Sequence, residues 1–279
     1  MKPAQLALAA NLIRQDIITM LAKAGSGHPA GSLGIADILV YLYSDFLYYN
    51  PLNSSWPERD RLVLSAGHLC PALYATLADF GYFDKGELST LRQINSRLQG
   101  HPHVGDLPGI ENSSGPLGQG VSVAVGLALA AKKDRKPWRV VCISSDGEQQ
   151  EGQVWEAYLL AAKYKLDNLI FIIDRNDIQI GGSISQVLPL EPLLKKYRAF
   201  GLEAVTVNGH NFTQIDKKIK ELVSKKGRPK LLLAKTVPGK GVSFMEHDFA
   251  WHGKTPNQEE AKKALQELRA LEKKLKKNV

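Results

Sequence analysis

Two polar segments, each following an apolar run, carry the residues of this sequence that are best suited to bind a metal ion. Ser144–Glu148 follows the run Arg139–Ile143, and Asp174–Ile178 follows the run Leu169–Ile173. Short apolar runs of this kind predict buried strands of a parallel sheet. The stretch from Gln153 to Lys165 predicts a helix between them, so that the two strands and the helix form one crossover unit.

Asp146 and Asn176 lie 30 residues apart, a natural length for one strand–helix–strand unit. Both then follow the carboxyl ends of parallel strands, the edge at which open α/β sheets bind their ligands. Carboxylate, amide and backbone carbonyl oxygens are hard ligands suited to Mg²⁺ or Ca²⁺, and Mg²⁺ usually completes its shell with water and phosphate oxygens. Each residue also has a structural interpretation, since Asp146 could cap a helix and Asn176 could be a turn residue.

Glycine-rich and histidine-bearing loops form a second group of candidates. Gly115–Gly120 contains three glycines before a predicted small-residue helix, so its backbone could approach a ligand closely, although by itself it could be only a turn. Four loop positions carry a histidine that can donate and accept protons near neutral pH: His28, His68, His101 and His252. A single loop histidine is more often a surface residue than a catalyst.

Taken together, these motifs resemble those of the transketolase family of thiamine diphosphate enzymes. The family's Gly-Asp-Gly motif corresponds to Ser145-Asp146-Gly147, and its downstream asparagine to Asn176. Further similarity lies in Asp146–Glu156, in Tyr164–Leu169 and in the two Gly-His-Pro loops around His28 and His101. Ser145 replaces the usual first glycine, a change that fits if the φ angle of this residue is negative.

The resemblance implies an α/β fold with a parallel sheet and helices on both faces, of the diphosphate-binding type. It implies thiamine diphosphate and Mg²⁺ as cofactors, with Asp146, Asn176 and the carbonyl of Ile178 as metal ligands. The residues that it assigns to the organic cofactor are His68, Gly115, Pro116, Leu117, Gly147, Asn176 and His252.

The implied reaction transfers a two-carbon ketol unit from a ketose phosphate to an aldose phosphate. His28 and His252 would act on the substrate, and His101 would be a further channel residue. Glu151 matches a family glutamate at the subunit interface that links two active sites; the alternative is an exposed carboxylate at a helix start. His103 falls where the family often has an acidic residue, and we expect no role for it.

The resemblance covers only the family's N-terminal half. The family's glutamate that activates the cofactor, its pocket for the pyrimidine ring and its phosphate-binding arginines belong to the other half. We therefore expect this chain to be the N-terminal subunit of a split transketolase, active with a separate C-terminal subunit, self-associating and forming an α₂β₂ heterotetramer. Two alternatives remain: the α subunit of a 2-oxo acid dehydrogenase or related synthase, and a non-catalytic cofactor-binding or assembly homologue.

The composition is that of an ordinary globular protein, with 44% hydrophobic and 23% charged residues in a chain of 279. We expect a single domain over residues 1–279 with an appended basic amphipathic helix at about 257–279, which contributes to the net charge of +8. The absence of long apolar runs, of a signal peptide and of nucleic-acid motifs leads us to expect neither membrane nor nucleic-acid binding. Cys70 and Cys142 are expected to be buried reduced thiols of a cytoplasmic protein, and the implied setting is the pentose phosphate pathway.

Overall fold

A five-stranded parallel sheet organises the computed structural model, which describes all 279 residues. Its strands are β1 (Arg61–Leu64), β2 (Val140–Ser145), β3 (Leu169–Arg175), β6 (Glu203–Asn208) and β7 (Lys230–Lys235). They lie in the order β1-β2-β3-β7-β6, and every neighbouring pair is parallel. A separate two-stranded antiparallel ribbon joins β4 (Ile178–Gln179) to β5 (Gly182–Ser183).

Nine α-helices surround the sheet. They are α1 (Pro3–Ala24), α2 (Pro29–Tyr41), α3 (Cys70–Asp79), α4 (Gln119–Lys133), α5 (Gly152–Lys163), α6 (Ile184–Val187), α7 (Leu193–Ala199), α8 (Phe212–Ser224) and α9 (Gln258–Lys276). None of these helices combines the length and the apolar character needed to cross a membrane.

The strands alternate their side chains between two hydrophobic cores, because successive residues of a strand point to opposite faces. In β3, Ile170 and Ile172 belong to the core formed with α1, α2, α3, α8 and α9. Leu169, Phe171 and Ile173 belong to the core formed with α4, α5 and α7. Both faces of the sheet are therefore covered, which explains why the central strands β2, β3 and β7 consist mainly of apolar residues. The predicted α/β fold with helices on both faces is confirmed.

Several features were predicted less accurately. The strand after Arg139 extends to Ser145, and the strand after Leu169 extends to Arg175, so both run two residues beyond their apolar runs. The helix after His28 begins directly at Pro29, since proline is well suited to the first turn of a helix. Both thiols, Cys70 and Cys142, are free and buried as expected.

Candidate active site

The carboxyl ends of β2 and β3 place the two predicted metal ligands side by side. Ser145 at the end of β2 pairs with Asp174 near the end of β3. Asp146 follows directly after β2, and Asn176 follows directly after β3. The backbone N–H of Asp146 donates to the carbonyl of Asp174 at 3.1 Å, which fixes the two strand ends to each other.

Asp146 is fully buried beneath this edge. Its Oδ1 accepts from the N–H of Gly147 at 2.8 Å. Its Oδ2 accepts from the N–H of Asp177 at 2.7 Å and from Nη1 of Arg175 at 2.9 Å. Burial raises the pKa of Asp146 to about 6, although these donors and the charge of Arg175 act in the opposite direction. A cation at this carboxylate would keep it ionised at neutral pH.

Asn176 is held by its neighbours in the turn after β3. Its Nδ2 donates to Oδ2 of Asp174 at 2.7 Å, and its Oδ1 accepts from the N–H of Ile178 at 3.1 Å. Asp174 also accepts from the hydroxyl of Thr236, on the segment that follows β7. The amide oxygen of Asn176 is therefore oriented by groups on two strands.

These contacts fit a magnesium ion without requiring one. The Asp146 carboxylate, the Asn176 amide oxygen and the Ile178 carbonyl form a set of hard oxygen donors at one sheet edge, as Mg²⁺ prefers. Asp146 also caps the short turn Gly147–Gln150, and Asn176 also forms a turn with Ile178, so the structural interpretations are present as well. The metal-ligand roles stay predictions.

Ser145 occupies the family's glycine position without conformational strain. It lies in β2 outside the positive-φ residues, as a serine there requires. Its backbone N–H donates to Oε2 of Glu148 at 3.2 Å. The replacement of glycine is thus tolerated by the backbone.

Glu148 is a buried carboxylate that links three segments around the cavity. Its Oε1 accepts from the Ser65 hydroxyl at 2.5 Å and from the Gly118 N–H at 2.6 Å. Its Oε2 accepts from the N–H of Ser145. The glycine-rich loop before α4 and the segment after β1 are thereby fixed to the end of β2. No role was predicted for Glu148, although it lies within the aspartate motif.

The four predicted histidines come together although they are far apart in the chain. The ring centroid of His28 lies 5.5 Å from that of His68, 6.2 Å from that of His101 and 5.6 Å from that of His252. The rings of His68 and His252 are 5.2 Å apart. His28 precedes α2, His68 follows β1, and His252 lies in the short turn Phe249–His252.

This arrangement keeps the imidazoles neutral at physiological pH. Burial is the largest cause in each case, and it lowers the pKa of His28 to about 4 and that of His68 well below its usual value. The pKa values of His101 and His252 are also lowered. A neutral imidazole has one nitrogen that donates a hydrogen bond and one that accepts, so each ring can either give or take a proton.

A cavity of about 350 Å³ lies between the histidines and the strand ends. The predicted site residues that line it are His28, His68, His101, Gly115, Leu117, Gly147, Glu151, Asn176, Ile178 and His252. Asp146 and Pro116 are the two predicted site residues that do not line it: Asp146 is buried, and Pro116 is exposed. His103, for which no role was expected, is exposed, and its Nδ1 lies 3.5 Å from Oδ1 of Asp106.

The ribbon formed by β4 and β5 supplies lining residues that the sequence analysis missed. Gln179, Ile180 and Gly181 border the cavity, and the Ile180 side chain is 78% exposed. The adjacent glycines Gly181 and Gly182 are a turn signal that could have identified this element, since Ile180 and Gly181 connect the two strands and Gly182 begins β5. Its strands are only two residues long, which explains why periodicity did not reveal them.

A comparison with protein-family models matches residues 6–274 to the family described as transketolase, thiamine diphosphate binding domain. The 6-deoxy-6-sulfo-D-fructose transketolase subunit of Clostridium sp. (strain MSTE9) is 43% identical over 259 residues, 93% of this chain and 94% of that protein. An apulose-4-phosphate transketolase subunit of Phocaeicola vulgatus is 38% identical over 255 residues, 91% of this chain and 90% of that protein.

Among solved structures, the transketolase of Campylobacter jejuni superposes with a TM-score of 0.89 at 37% identity. The match covers 97% of this chain but 45% of the Campylobacter chain, so the similarity to the longer enzyme is confined to less than half of it. These matches confirm the resemblance inferred from the aspartate motif and the histidine loops. The chain belongs to the transketolase family and comprises its thiamine diphosphate-binding domain.

Proposed function

We propose that this chain is the diphosphate-binding subunit of a two-subunit transketolase that transfers a two-carbon ketol unit from a ketose phosphate to an aldose phosphate. The observation that carries the proposal is the convergence of His28, His68, His101 and His252 on one cavity at the sheet edge that holds Asp146 and Asn176. A hydroxyl-rich substrate needs several proton donors and acceptors, and a diphosphate needs a cation held at a sheet edge.

The groups at the ends of β2 and β3 would hold the cofactor. Asp146, Asn176 and the Ile178 carbonyl would hold Mg²⁺, whose charge would offset that of the diphosphate. Gly147, His68 and the Gly115–Leu117 segment would contact the organic part or the phosphates. When bound, thiamine diphosphate supplies the nucleophilic carbon that carries the two-carbon unit.

The histidines bind and orient the sugar hydroxyls. His28 and His252 take up and return the hydroxyl protons of the substrate, since their lowered pKa values leave each ring neutral before the reaction. The His101 ring lies 6.2 Å from that of His28 and adds a further polar group to the cavity wall. Glu151 is exposed at the start of α5. Its proposed role is contact with the neighbouring subunit.

The partner is a C-terminal transketolase subunit. Two relatives of similar length are named as subunits, whereas the Campylobacter transketolase is more than twice as long as the matched region. The partner contributes the other half of the cofactor site, and two copies of each subunit form an α₂β₂ assembly. The assembly is cytoplasmic and acts on phosphorylated sugars such as those of the pentose phosphate pathway.

A two-carbon transfer assay tests this proposal. The chain is assayed with xylulose 5-phosphate, ribose 5-phosphate, thiamine diphosphate and Mg²⁺, first alone and then with a C-terminal subunit encoded nearby. The sulfonated and branched ketoses named for the two relatives serve as further donors. Activity that requires both subunits supports the proposal, whereas activity of the chain alone overturns the partner requirement.

The alternatives make different predictions in the same experiment. A 2-oxo acid dehydrogenase subunit would decarboxylate pyruvate or a branched 2-oxo acid and leave the ketose donors unchanged. A non-catalytic homologue would bind thiamine diphosphate in calorimetry without turning over any donor. The four neutral histidines around one cavity favour the ketol transfer.

A further inference from the structure

Arg92 is a half-buried arginine whose guanidinium has no carboxylate partner. It follows the short turn Lys85–Thr90, and its backbone N–H donates to the carbonyl of Leu98 at 2.9 Å, which closes the loop between them. Neither aspartate nor glutamate oxygens lie within 4.0 Å of its nitrogens, whereas Arg97, five residues further on, pairs with Glu87 at 2.7 Å. The charge of Arg92 is therefore available to a ligand.

The guanidinium of Arg92 lies between the two Gly-His-Pro loops. A Cβ atom added to Gly100 would lie 3.0 Å from its Cζ, and one added to Gly27 would lie 3.8 Å from its Nε. These two glycines directly precede His101 and His28 in the chain. The glycines thus allow an arginine to pack beside both histidine loops.

Most of the hydrogen-bonding capacity of Arg92 is unused. Its Nη1 donates to the Ser26 hydroxyl and its Nη2 to the carbonyl of Gly100, both at the long distance of 3.4 Å. A guanidinium has five N–H donors, so three have no partner in the protein. The Nδ1 atom of His28 is also buried without a hydrogen-bond partner.

Arg92 is a cation beside the two histidine loops, although it is not one of the residues that line the cavity. The residues lining the cavity include four histidines and two glutamates but neither lysine nor arginine. Because the histidines are neutral, they can bind hydroxyls but give little attraction to an anion. The charge of Arg92 contributes to the lowered pKa values of His28 and His101, after burial in both cases and after His252 for His28.

We propose that Arg92 is a specificity-determining residue that binds the terminal oxyanion, phosphate or sulfonate, of the sugar substrate. The guanidinium presents paired donors that match a tetrahedral oxyanion. The proposal rests on the proposed function and deepens it, because it places one anion-binding group on this subunit in addition to those expected on the partner. The hydroxyls of the same substrate then face the histidines.

The test compares an anionic and a neutral acceptor in the two-subunit complex. With erythrulose as a neutral donor, Arg92→Ala is expected to raise KM for ribose 5-phosphate by at least about tenfold, since a charge-assisted hydrogen bond is lost. The kcat/KM for the neutral acceptor glycolaldehyde stays within about twofold, and Arg92→Lys restores part of the affinity for the phosphate. Arg97→Ala is the matched control and changes neither value. Donors that end in a phosphate or a sulfonate then show which oxyanion depends more on Arg92.

An equal loss of kcat/KM with both acceptors would show that Arg92 supports the loop structure and would overturn the proposal. No loss of kcat/KM with either acceptor would overturn it as well.

A second measurement is independent of catalysis. Inorganic phosphate is titrated into the chain while the imidazole C–H signals are followed by NMR, and shifts of His28 and His101 are expected in the wild type and in Arg97→Ala but not in Arg92→Ala. Shifts that persist in Arg92→Ala, or that never occur, contradict the proposal. A complex that transfers no ketol unit would refute the proposed function, and the titration would still decide the role of Arg92.

Discussion

At the scale of single residues, burial and hydrogen bonding give similar side chains different roles. Asp146 and Glu148 are both fully buried at the end of β2. Each accepts three hydrogen bonds: Asp146 from groups of the same strand end and the turn after β3, and Glu148 from Ser65, Gly118 and Ser145. Asp146 thus lies beside the turn that carries Asn176, where a metal ion is predicted. Glu148 instead joins the segment after β1 and the glycine-rich loop to β2.

Asp146→Ala is expected to abolish the metal-dependent function of the complex. Loss of a charged ligand should lower transfer activity by at least about a hundredfold and remove the rise in Tm caused by thiamine diphosphate with Mg²⁺. The Tm rise is measured by calorimetry with and without EDTA, and His103→Ala serves as the control because its side chain is exposed and outside the cavity. A variant that keeps both the activity and the EDTA-sensitive Tm rise would refute the metal assignment.

Glu148→Ala is expected to destabilise the chain by roughly 2–5 kcal/mol, since three buried donors lose a charged acceptor. Urea unfolding measures the change. The free energy of unfolding of Glu148→Gln should lie between those of the wild type and Glu148→Ala, because glutamine keeps an acceptor oxygen. Glu156, exposed on α5, provides the control Glu156→Ala with little effect. A loss of less than about 1 kcal/mol in Glu148→Ala would show that the loops hold their positions without it.

At the scale of elements, the shape of the cavity depends on the backbone conformation where loops join helices and strands. Gly118 precedes α4 with φ of 81°, a left-handed conformation that disfavours side chains. A Cβ atom there would lie 3.1 Å from Cβ of Glu151, so α4 and α5 begin in close contact. This close approach fixes the glycine-rich loop beside the start of α5.

Two glycine substitutions in the same region should have opposite effects. Gly118→Ala is expected to lower the free energy of unfolding by about 1–2 kcal/mol, because of its backbone conformation and the nearby Glu151. Gly126→Ala, in the exposed middle of α4 with open space at its Cβ, should raise it by about 0.5–1 kcal/mol. Thermal unfolding of the two variants beside the wild type measures both effects, and a shift of the same sign in both would contradict the argument.

Element type was largely predictable from the sequence, whereas element ends were not. The apolar run Leu169–Ile173 predicts β3, but the strand continues through Asp174 and Arg175 because they pair with β7. The ribbon after Asn176 could not be predicted from periodicity because each of its strands has two residues. Tertiary pairing therefore set the boundaries next to the site.

At the scale of the whole molecule, several exposed apolar side chains lie on the helices next to the cavity. Val123 on α4 is 43% exposed, and Leu159 and Leu160 on α5 are 57% and 42% exposed. The two helices pack against each other, and the side chains of Gln119 and Gln153 are hydrogen-bonded at 2.6 Å across their beginnings. Exposed apolar side chains on neighbouring helices favour association.

The isolated chain is expected to self-associate at micromolar concentration through α4 and α5. The double substitution Leu159→Lys and Leu160→Lys should shift sedimentation velocity profiles toward the monomer, because charges replace apolar contacts. Leu52→Lys is the control, since Leu52 is 93% exposed outside these helices. A wild-type chain that sediments as a monomer would contradict the expectation, and unchanged association of the double variant would place the contact elsewhere.

Local signals in the sequence were enough to determine which residues stand at strand ends and on loops. Apolar runs, glycines and prolines are signals of this kind, and they placed Asp146, Asn176 and the four histidines correctly along the chain. Tertiary packing was needed to bring the rings at positions 68, 101 and 252 to within about 6 Å of His28. Tertiary packing also determined the surroundings of Glu148 and Arg92. The donors to Glu148 and the neighbours of Arg92 lie on loops that are distant in sequence. These loops meet only when the two cores pack against the sheet.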